Sequence, residues 1–223
     1  MNIALFGGTF DPIHSGHLRA ARAAVRQFRL DRVLFVPSGN PPHKTHNRLT
    51  SFHHRLAMVA LACAREPRFV PSLLEAPRAD RRPHFSVETV RRAKRLLGAR
   101  HRLFFLIGAD AFLDLPNWKD YRRLLASVDF IVVSRPGFSE KEIWETIPRD
   151  LCPARSAGNS KATAKLRRTS VSILRGVNVP VASREIREAV RAGRPTTGLV
   201  PPLVEQYIVK EGLYRPARRG STQ

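Results

Sequence analysis

Short apolar runs alternate with longer amphipathic stretches through the N-terminal half of the chain. Ile3–Phe6 is a brief apolar run ending in Gly7-Gly8, the pattern of a buried parallel strand that meets a tight turn. From His17 to Phe28 the chain is rich in Ala and Arg, and Leu18, Ala21, Val25 and Phe28 fall on one helical face. Val33–Val36 predicts a second strand, stopped by Pro37 and the loop Ser38-Gly39-Asn40-Pro41-Pro42. Thr50 or Ser51 can cap a helix whose inward face takes in Leu56, Val59, Ala60 and Cys63. Phe69 and Val70 predict a third strand, Ser86 opens a helix through Leu97, and Leu103–Ile107 and Phe130–Val133 predict two further strands. Strands separated by helices in this rhythm imply an α/β fold, a Rossmann-like doubly wound parallel sheet with helices on both faces. Its strand-to-helix loops gather at the carboxyl edge, where such sheets bind ligands.

Beyond Gly137 the rhythm loosens. Ser139-Glu140-Lys141-Glu142 reads as a capping box leading a short helix through Ile147. Residues 155–168 are basic and nearly free of large apolar side chains, so they are expected to form an exposed loop or a disordered insertion. Val171–Leu174 predicts a strand, Ser183–Ala192 a helix, and Pro201 the start of a last helix ending near Gly212, a small C-terminal helical region. No repeat or internal boundary is visible, so residues 1–214 read as a single domain followed by a polar, frayed tail.

Composition narrows the class. Of 223 residues, 43% are hydrophobic, enough to build a packed core. The first apolar run is too short and lacks the basic flank of a signal peptide, and no run approaches the ~20 residues that span a bilayer. Cys63 and Cys152 are too few for a disulfide framework and lack metal-site spacing, so a cytoplasmic setting is expected, with no membrane partner. The net charge of +21 attracts polyanions, whether nucleotides, pyrophosphate, nucleic acid or an acidic membrane surface, but a surface simply dressed in Arg explains it equally well.

The loop between the first strand and first helix, Gly7-Gly8-Thr9-Phe10-Asp11-Pro12-Ile13-His14-Ser15-Gly16-His17, carries the chemistry. Two glycines let the backbone turn sharply and come close to a ligand. Ser15 and Gly16 are expected to present unpaired N–H groups at a helix start, where the dipole favours an anion. His14 and His17 lie three apart, so one turn directs both imidazoles at that anion, and imidazole donors hold phosphate oxygens better as charge grows on them. The pair could instead be metal ligands, but no third ligand accompanies it in the motif, and no metal site is assigned. The glycine spacing matches neither a Walker loop nor a dinucleotide fingerprint.

With these residues the sequence resembles the nucleotidyltransferase superfamily that carries a His-x-Gly-His signature, and more narrowly the bacterial nicotinate-nucleotide adenylyltransferases, over most of residues 1–136 and 180–214. Further motifs carry the resemblance. The segment ending in Pro41-Pro42-His43-Lys44 is similar to the family's Pro-Pro-His-Lys loop, which implies a phosphate contact for Lys44, and Arg55 stands at a family-preferred position. Pro83-His84-Phe85-Ser86-Val87-Glu88-Thr89 is similar to Ser-Tyr-Thr-x-Asp-Thr, with Phe for Tyr, Ser for Thr and Glu for Asp. That likeness puts Phe85 and Ser86 in the acceptor pocket, although Ser86 also reads as a plain helix N-cap. Gly108-Ala109-Asp110 resembles a nucleotide-contacting segment, with Asp110 either on a ribose or capping a helix. Trp118 would stack on a pyridine ring, or else plug the core. Val181-Ala182-Ser183-Arg184-Glu185-Ile186-Arg187 departs from the family's Ile-Ser-Ser-Thr-x-Ile-Arg: Ser183, Ile186 and Arg187 are kept, while Ala182 and Arg184 replace a serine and the threonine.

The resemblance thus implies adenylyl transfer from ATP to nicotinate mononucleotide, giving the deamido dinucleotide and pyrophosphate in NAD biosynthesis. His14, His17, Lys44 and Arg187 would be catalytic. ATP would meet Gly7, Gly8, Thr9, Phe10, His14, Gly16, His17, Gly108, Asp110, Ser183, Arg184, Ile186 and Arg187, and the acceptor Asp11, Lys44, Phe85, Ser86 and Trp118. Mg²⁺ would ride mainly on the ATP phosphates. Other acceptors (nicotinamide mononucleotide, phosphopantetheine) or cytidylyl transfer are the nearest enzyme alternatives. A nucleic-acid-binding protein on the same fold is a less favoured reading, suggested by the charge. Oligomeric state is left open, a homo-oligomer included.

Overall fold

Strand β1 (Asn2–Gly8) shows how the layers form. Its alternate side chains load opposite faces of the sheet: Ile3 and Leu5 join one buried cluster, Ala4 and Phe6 the other. Strands β2 (Arg32–Pro37), β3 (Phe69–Pro71), β4 (Arg102–Gly108) and β5 (Asp129–Val133) lie parallel to it, followed by β6 (Thr163–Lys165) and β7 (Ser170–Leu174). The spatial order is β3-β2-β1-β4-β5-β7-β6, with only β6 antiparallel. The computed structural model describes residues 1–40, 49–79, 82–134, 139–153, 162–177 and 181–216. Among them no helix is long and apolar enough to cross a membrane.

Helices α1 (Ser15–Phe28) and α2 (Phe52–Cys63) cover the face that holds Ala4 and Phe6. The opposite face is covered by α3 (Ser86–Leu97), α4 (Ala109–Leu113), α5 (Tyr121–Leu125) and α6 (Glu140–Glu145). The last helices, α7 (Ser183–Arg191) and α8 (Pro202–Lys210), return to the first face, where Ile186, Val204 and Ile208 enter the same cluster as Leu18 and Met58. The C-terminal helices are therefore part of the main layer. The sheet is the doubly wound parallel arrangement expected, and its winding reverses between β1 and β4, which opens a crevice at their carboxyl ends.

Several local expectations are corrected. Part of the basic 155–168 stretch is not a loop: Thr163–Lys165 pairs antiparallel with β7, and Leu166 is buried beside it. Alternation of small side chains along an edge strand leaves little apolar signal to read. Ser139 precedes α6 without a side-chain capping bond, and that helix ends at Glu145 rather than Ile147. Ala60, placed on the inner face of α2, is exposed; the face that packs runs through Phe52, Arg55, Val59 and Ala62. A charged residue on that stripe disguised its true phase. Ser51 does cap α2, accepting from the His54 N–H at 3.3 Å.

Arg55 is the largest fully buried side chain among the described residues. Its guanidinium donates to three backbone carbonyls, those of Thr9 at 2.7 Å, Ser38 at 2.8 Å and Thr50 at 2.9 Å. Burial pulls its pKa down while the nearby Asp11 carboxylate opposes the shift, and a guanidinium stays charged at neutral pH. Replacing it with methionine orphans three carbonyls at once. Arg55→Met is expected to lower the unfolding free energy by on the order of 3–5 kcal/mol in a urea titration; a loss under about 1 kcal/mol would show that these bonds are readily replaced by water.

Candidate active site

The first loop is held from three sides. Both carboxylate oxygens of Asp11 accept protein donors, the Thr50 N–H at 3.2 Å and the Tyr214 hydroxyl at 2.7 Å. Burial, and the Asp11 charge beside it, push the Tyr214 phenol well above its ordinary range, so it stays a donor. From α7, Arg187 donates to the Asp11 carbonyl at 2.7 Å and Ser183 Oγ to the Pro12 carbonyl at 2.9 Å. Phe10 takes a left-handed φ of 50° and is buried, its ring edge-on to His17 at 5.0 Å. A non-glycine residue holds such a backbone only where its surroundings over-determine it, and Phe6, Phe35 and His17 supply that packing.

His14 caps α1 from an extended backbone, and the two imidazoles stack with centroids 3.7 Å apart. The His14 N–H donates to His17 Nδ1 at 3.2 Å. In the neutral ring that bond assigns the proton to Nε2. Ser15 does not present the free N–H expected of it: that group donates to the Leu199 carbonyl at 2.9 Å, and its hydroxyl to the Gly198 carbonyl at 2.8 Å. The segment before α8 occupies that donor, an arrangement made across 184 residues and invisible locally. Gly16 keeps its place in the first turn of α1.

Around this loop lies a polar cleft of about 710 Å³ that brings together Thr9, Phe10, Asp11, His14, His17, Asp110, Ser183, Arg184 and Arg187. Asp110 is in the first turn of α4, whose cap is Gly108; the alternative of Asp110 as a helix cap is not what forms. Its Oδ1 curls back so close to Gly108 that a Cβ there would sit 2.5 Å away. Arg184 reaches the cleft from an exposed position and pairs with Glu188 at 3.5 Å. Ile186 is completely buried in the core, so its side chain supports α7 and lies outside the cleft. Asp11, expected at the acceptor, lines this polar cleft, with its carboxylate spent on Thr50 and Tyr214. Lys44 lies outside the described residues.

A second, mostly apolar pocket of about 360 Å³ opens on the other side of the same edge. It is lined by Gly7 and Gly8 of β1, by Phe85 and Ser86 at the start of α3, by Phe105, Gly108 and Trp118, and by Ser38, Glu75 and His84. Thr9 lines both cavities. Phe85, not Ser86, is the N-cap of α3, and Ser86 is its first helical residue. Lys119 stands 4.2 Å from the centre of the Phe85 ring. Trp118 is no core plug: it lines the pocket, its indole N–H fixed to Asp114 at 3.1 Å.

Three of these polar residues escaped sequence reasoning. Glu75 sits in the pocket wall, accepting from Thr89 Oγ1 at 2.7 Å, and burial raises its carboxyl pKa to about 7, the Thr89 bond opposing. The one signal was a lone acid inside Leu73-Leu74-Glu75-Ala76. His84 is buried and kept neutral, its pKa lowered by burial and then by Arg78 and Arg92. Its Nε2 and the Ser38 hydroxyl have no hydrogen-bond partner among the described residues.

Comparison with known proteins fits this geometry. The cytidylyltransferase-like family model matches residues 5–188. A probable nicotinate-nucleotide adenylyltransferase of Thermoanaerobacter sp. (strain X514) is 36% identical over 218 residues, covering 96% of this chain and 95% of the relative. One of Moorella thermoacetica is 37% identical, covering 98% and 94%. Among solved structures, the Plasmodium falciparum nicotinic acid mononucleotide adenylyltransferase complexed with NaAD shares the fold, with a TM-score of 0.70 at 18% identity over 96% of this chain and 97% of that one. A nucleotidyltransferase fold with paired histidines at the switch point is the class so defined. The chain belongs to the cytidylyltransferase-like family, among the nicotinate-nucleotide adenylyltransferases.

Glu75 makes a prediction that needs no ligand. A folded-state pKa of about 7, above the ordinary 4.5, means the native protein holds this proton more tightly than the unfolded chain. Its contribution to stability is full below about pH 4.5 and fades as pH rises through 7. Glu75→Gln is therefore expected to gain roughly 2 kcal/mol relative to wild type between pH 5 and pH 8, read by chemical denaturation at each pH. A stability difference independent of pH would place the carboxyl in water.

Proposed function

We propose that this chain transfers the adenylyl group of ATP to nicotinate mononucleotide, forming the deamido dinucleotide and pyrophosphate for NAD biosynthesis. One observation carries the reading: a polar cleft with paired imidazoles and an apolar pocket with an indole wall meet at Thr9. The first suits a triphosphate and the second a flat pyridine ring. The curated relatives' names and the Plasmodium complex with NaAD support the same substrates.

In this reading ATP lies over the first loop with its phosphates before His14 and His17. A phosphate oxygen of the acceptor attacks the α-phosphorus in line; the new P–O bond forms as the bond to the bridging oxygen breaks, and pyrophosphate leaves. The acceptor supplies the nucleophile, so the protein positions and neutralises. His17, its Nδ1 occupied by the His14 N–H, donates from Nε2 to oxygens that gain charge in the transition state. Arg187 and Ser183 shape the cleft through the loop backbone they hold, and Lys44 adds a further cation to the phosphates. The Trp118 and Phe85 rings seat the pyridine. Mg²⁺ would ride mainly on the ATP phosphates and neutralise their charge, with Asp110, which lines the cleft, as the carboxylate that would contact it. Both cysteines are free thiols, which suits a cytosolic setting.

Two outcomes test this. With MgATP, purified protein should form pyrophosphate and dinucleotide from nicotinate mononucleotide in clear preference to nicotinamide mononucleotide; product from neither would refute the assignment. His17→Ala should lower kcat by about 10²- to 10³-fold with little change in KM for ATP, the signature of a donor that acts in the transition state. Nearly intact turnover in that variant would remove His17 from the mechanism.

A further inference from the structure

The acceptor pocket holds an acid where an acid is to bind. Glu75 lines the pocket together with Ser86, the first residue of α3, and its carboxyl is tied to Thr89 in that helix's first turns. A helix start stabilises one negative charge well, but two carboxylates sharing it repel each other in an apolar wall. Two further polar atoms of the lining, His84 Nε2 and Ser38 Oγ, are buried without a protein partner among the described residues, as expected where a ligand's polar atoms are to arrive. Resting on the reading of this pocket as the acceptor site, we propose that Glu75 is an acceptor-binding residue that makes binding of the acid pH-dependent, its carboxyl group taking up a proton when the acceptor brings a ring carboxylate.

The charged neighbours do not remove the conflict. From α3, Arg92 is spent on the Leu74 carbonyl at 3.0 Å, and Glu88 pairs with Lys119 at 3.5 Å. Burial lowers the pKa of His84, and Arg78 from the loop before α3 and Arg92 from the helix lower it further. From the segment after α4, Asp114 is bound to Trp118, and Lys119 stands over Phe85. The sheet contributes Leu5, Val36, Phe105 and Ile107, all apolar. The carboxyl is already held near half-protonation at neutral pH by its burial, so an entering carboxylate needs to shift it only slightly further. In its neutral form it becomes a donor, able to hydrogen-bond the acid it would otherwise repel.

The experiment is a tryptophan-fluorescence titration of nicotinate mononucleotide onto the full chain and its Glu75→Gln variant between pH 6 and pH 8. Any other titrating group is common to both proteins, so the ratio of wild-type to variant Kd isolates Glu75. That ratio should climb about ten-fold across the range, since only the protonated fraction is competent. A ratio that stays flat while the nucleotide binds overturns this inference alone. Absence of binding by wild type overturns the proposed acceptor and this inference with it. Should Glu75→Gln fail to fold, Thr89→Val carries the test: without the hydroxyl that favours the ionised form, the loss of affinity should begin at higher pH, and an unmoved midpoint refutes the role.

Discussion

A buried guanidinium holding three carbonyls underlies the whole edge of this sheet. Arg55 joins the first loop at Thr9, the end of β2 at Ser38 and the entry to α2 at Thr50. These three backbone segments meet just past the point where the β1–β2 ladder ends at Gly8 and Pro37. Charge is costly to bury, and the Asp11 carboxylate nearby offsets that cost while itself anchored by Thr50 and Tyr214. The strained backbone at Phe10 and the stacked histidines stand on that foundation.

From it follows the division of labour between two cavities. On one side of Thr9 the first loop and α7 present imidazoles, a carboxylate and guanidinium groups; on the other, the strand ends and α3 present rings and aliphatic chains. Gly39 shows how tightly the apolar side is drawn in, for a Cβ there would lie 1.9 Å from the Glu75 carbonyl. The backbone contact that seats Gly39 thus also sets where the Glu75 side chain enters the wall.

What the amino-acid pattern made legible was whatever is encoded over a few neighbouring residues. Buried strands such as Leu103–Ile107 and the long helices α1 and α3 announce themselves by period, and the histidine loop by its run of unusual residues between strand and helix. What stayed hidden depends on partners remote in sequence. The Ser15 N–H is satisfied by Leu199, Asp11 by Tyr214, and Arg55 lies on an inner stripe normally reserved for aliphatic residues. Strand β6 was missed because Thr163-Ala164-Lys165 owes its pairing to β7 rather than to its own hydrophobicity. Glu75 was passed over because burial, not its identity, makes its carboxyl unusual.

The bond between Tyr214 and Asp11 also bears on the order of events at the ribosome. The first loop is among the earliest segments to be synthesised, yet its supports at Ser183, Arg187, Leu199 and Tyr214 are among the later ones. Loop closures of this span come late, after local structure has formed. A nascent chain can thus raise its first strands and helices before the residues that brace the first loop have been made, so the polar cleft is completed after the sheet beside it.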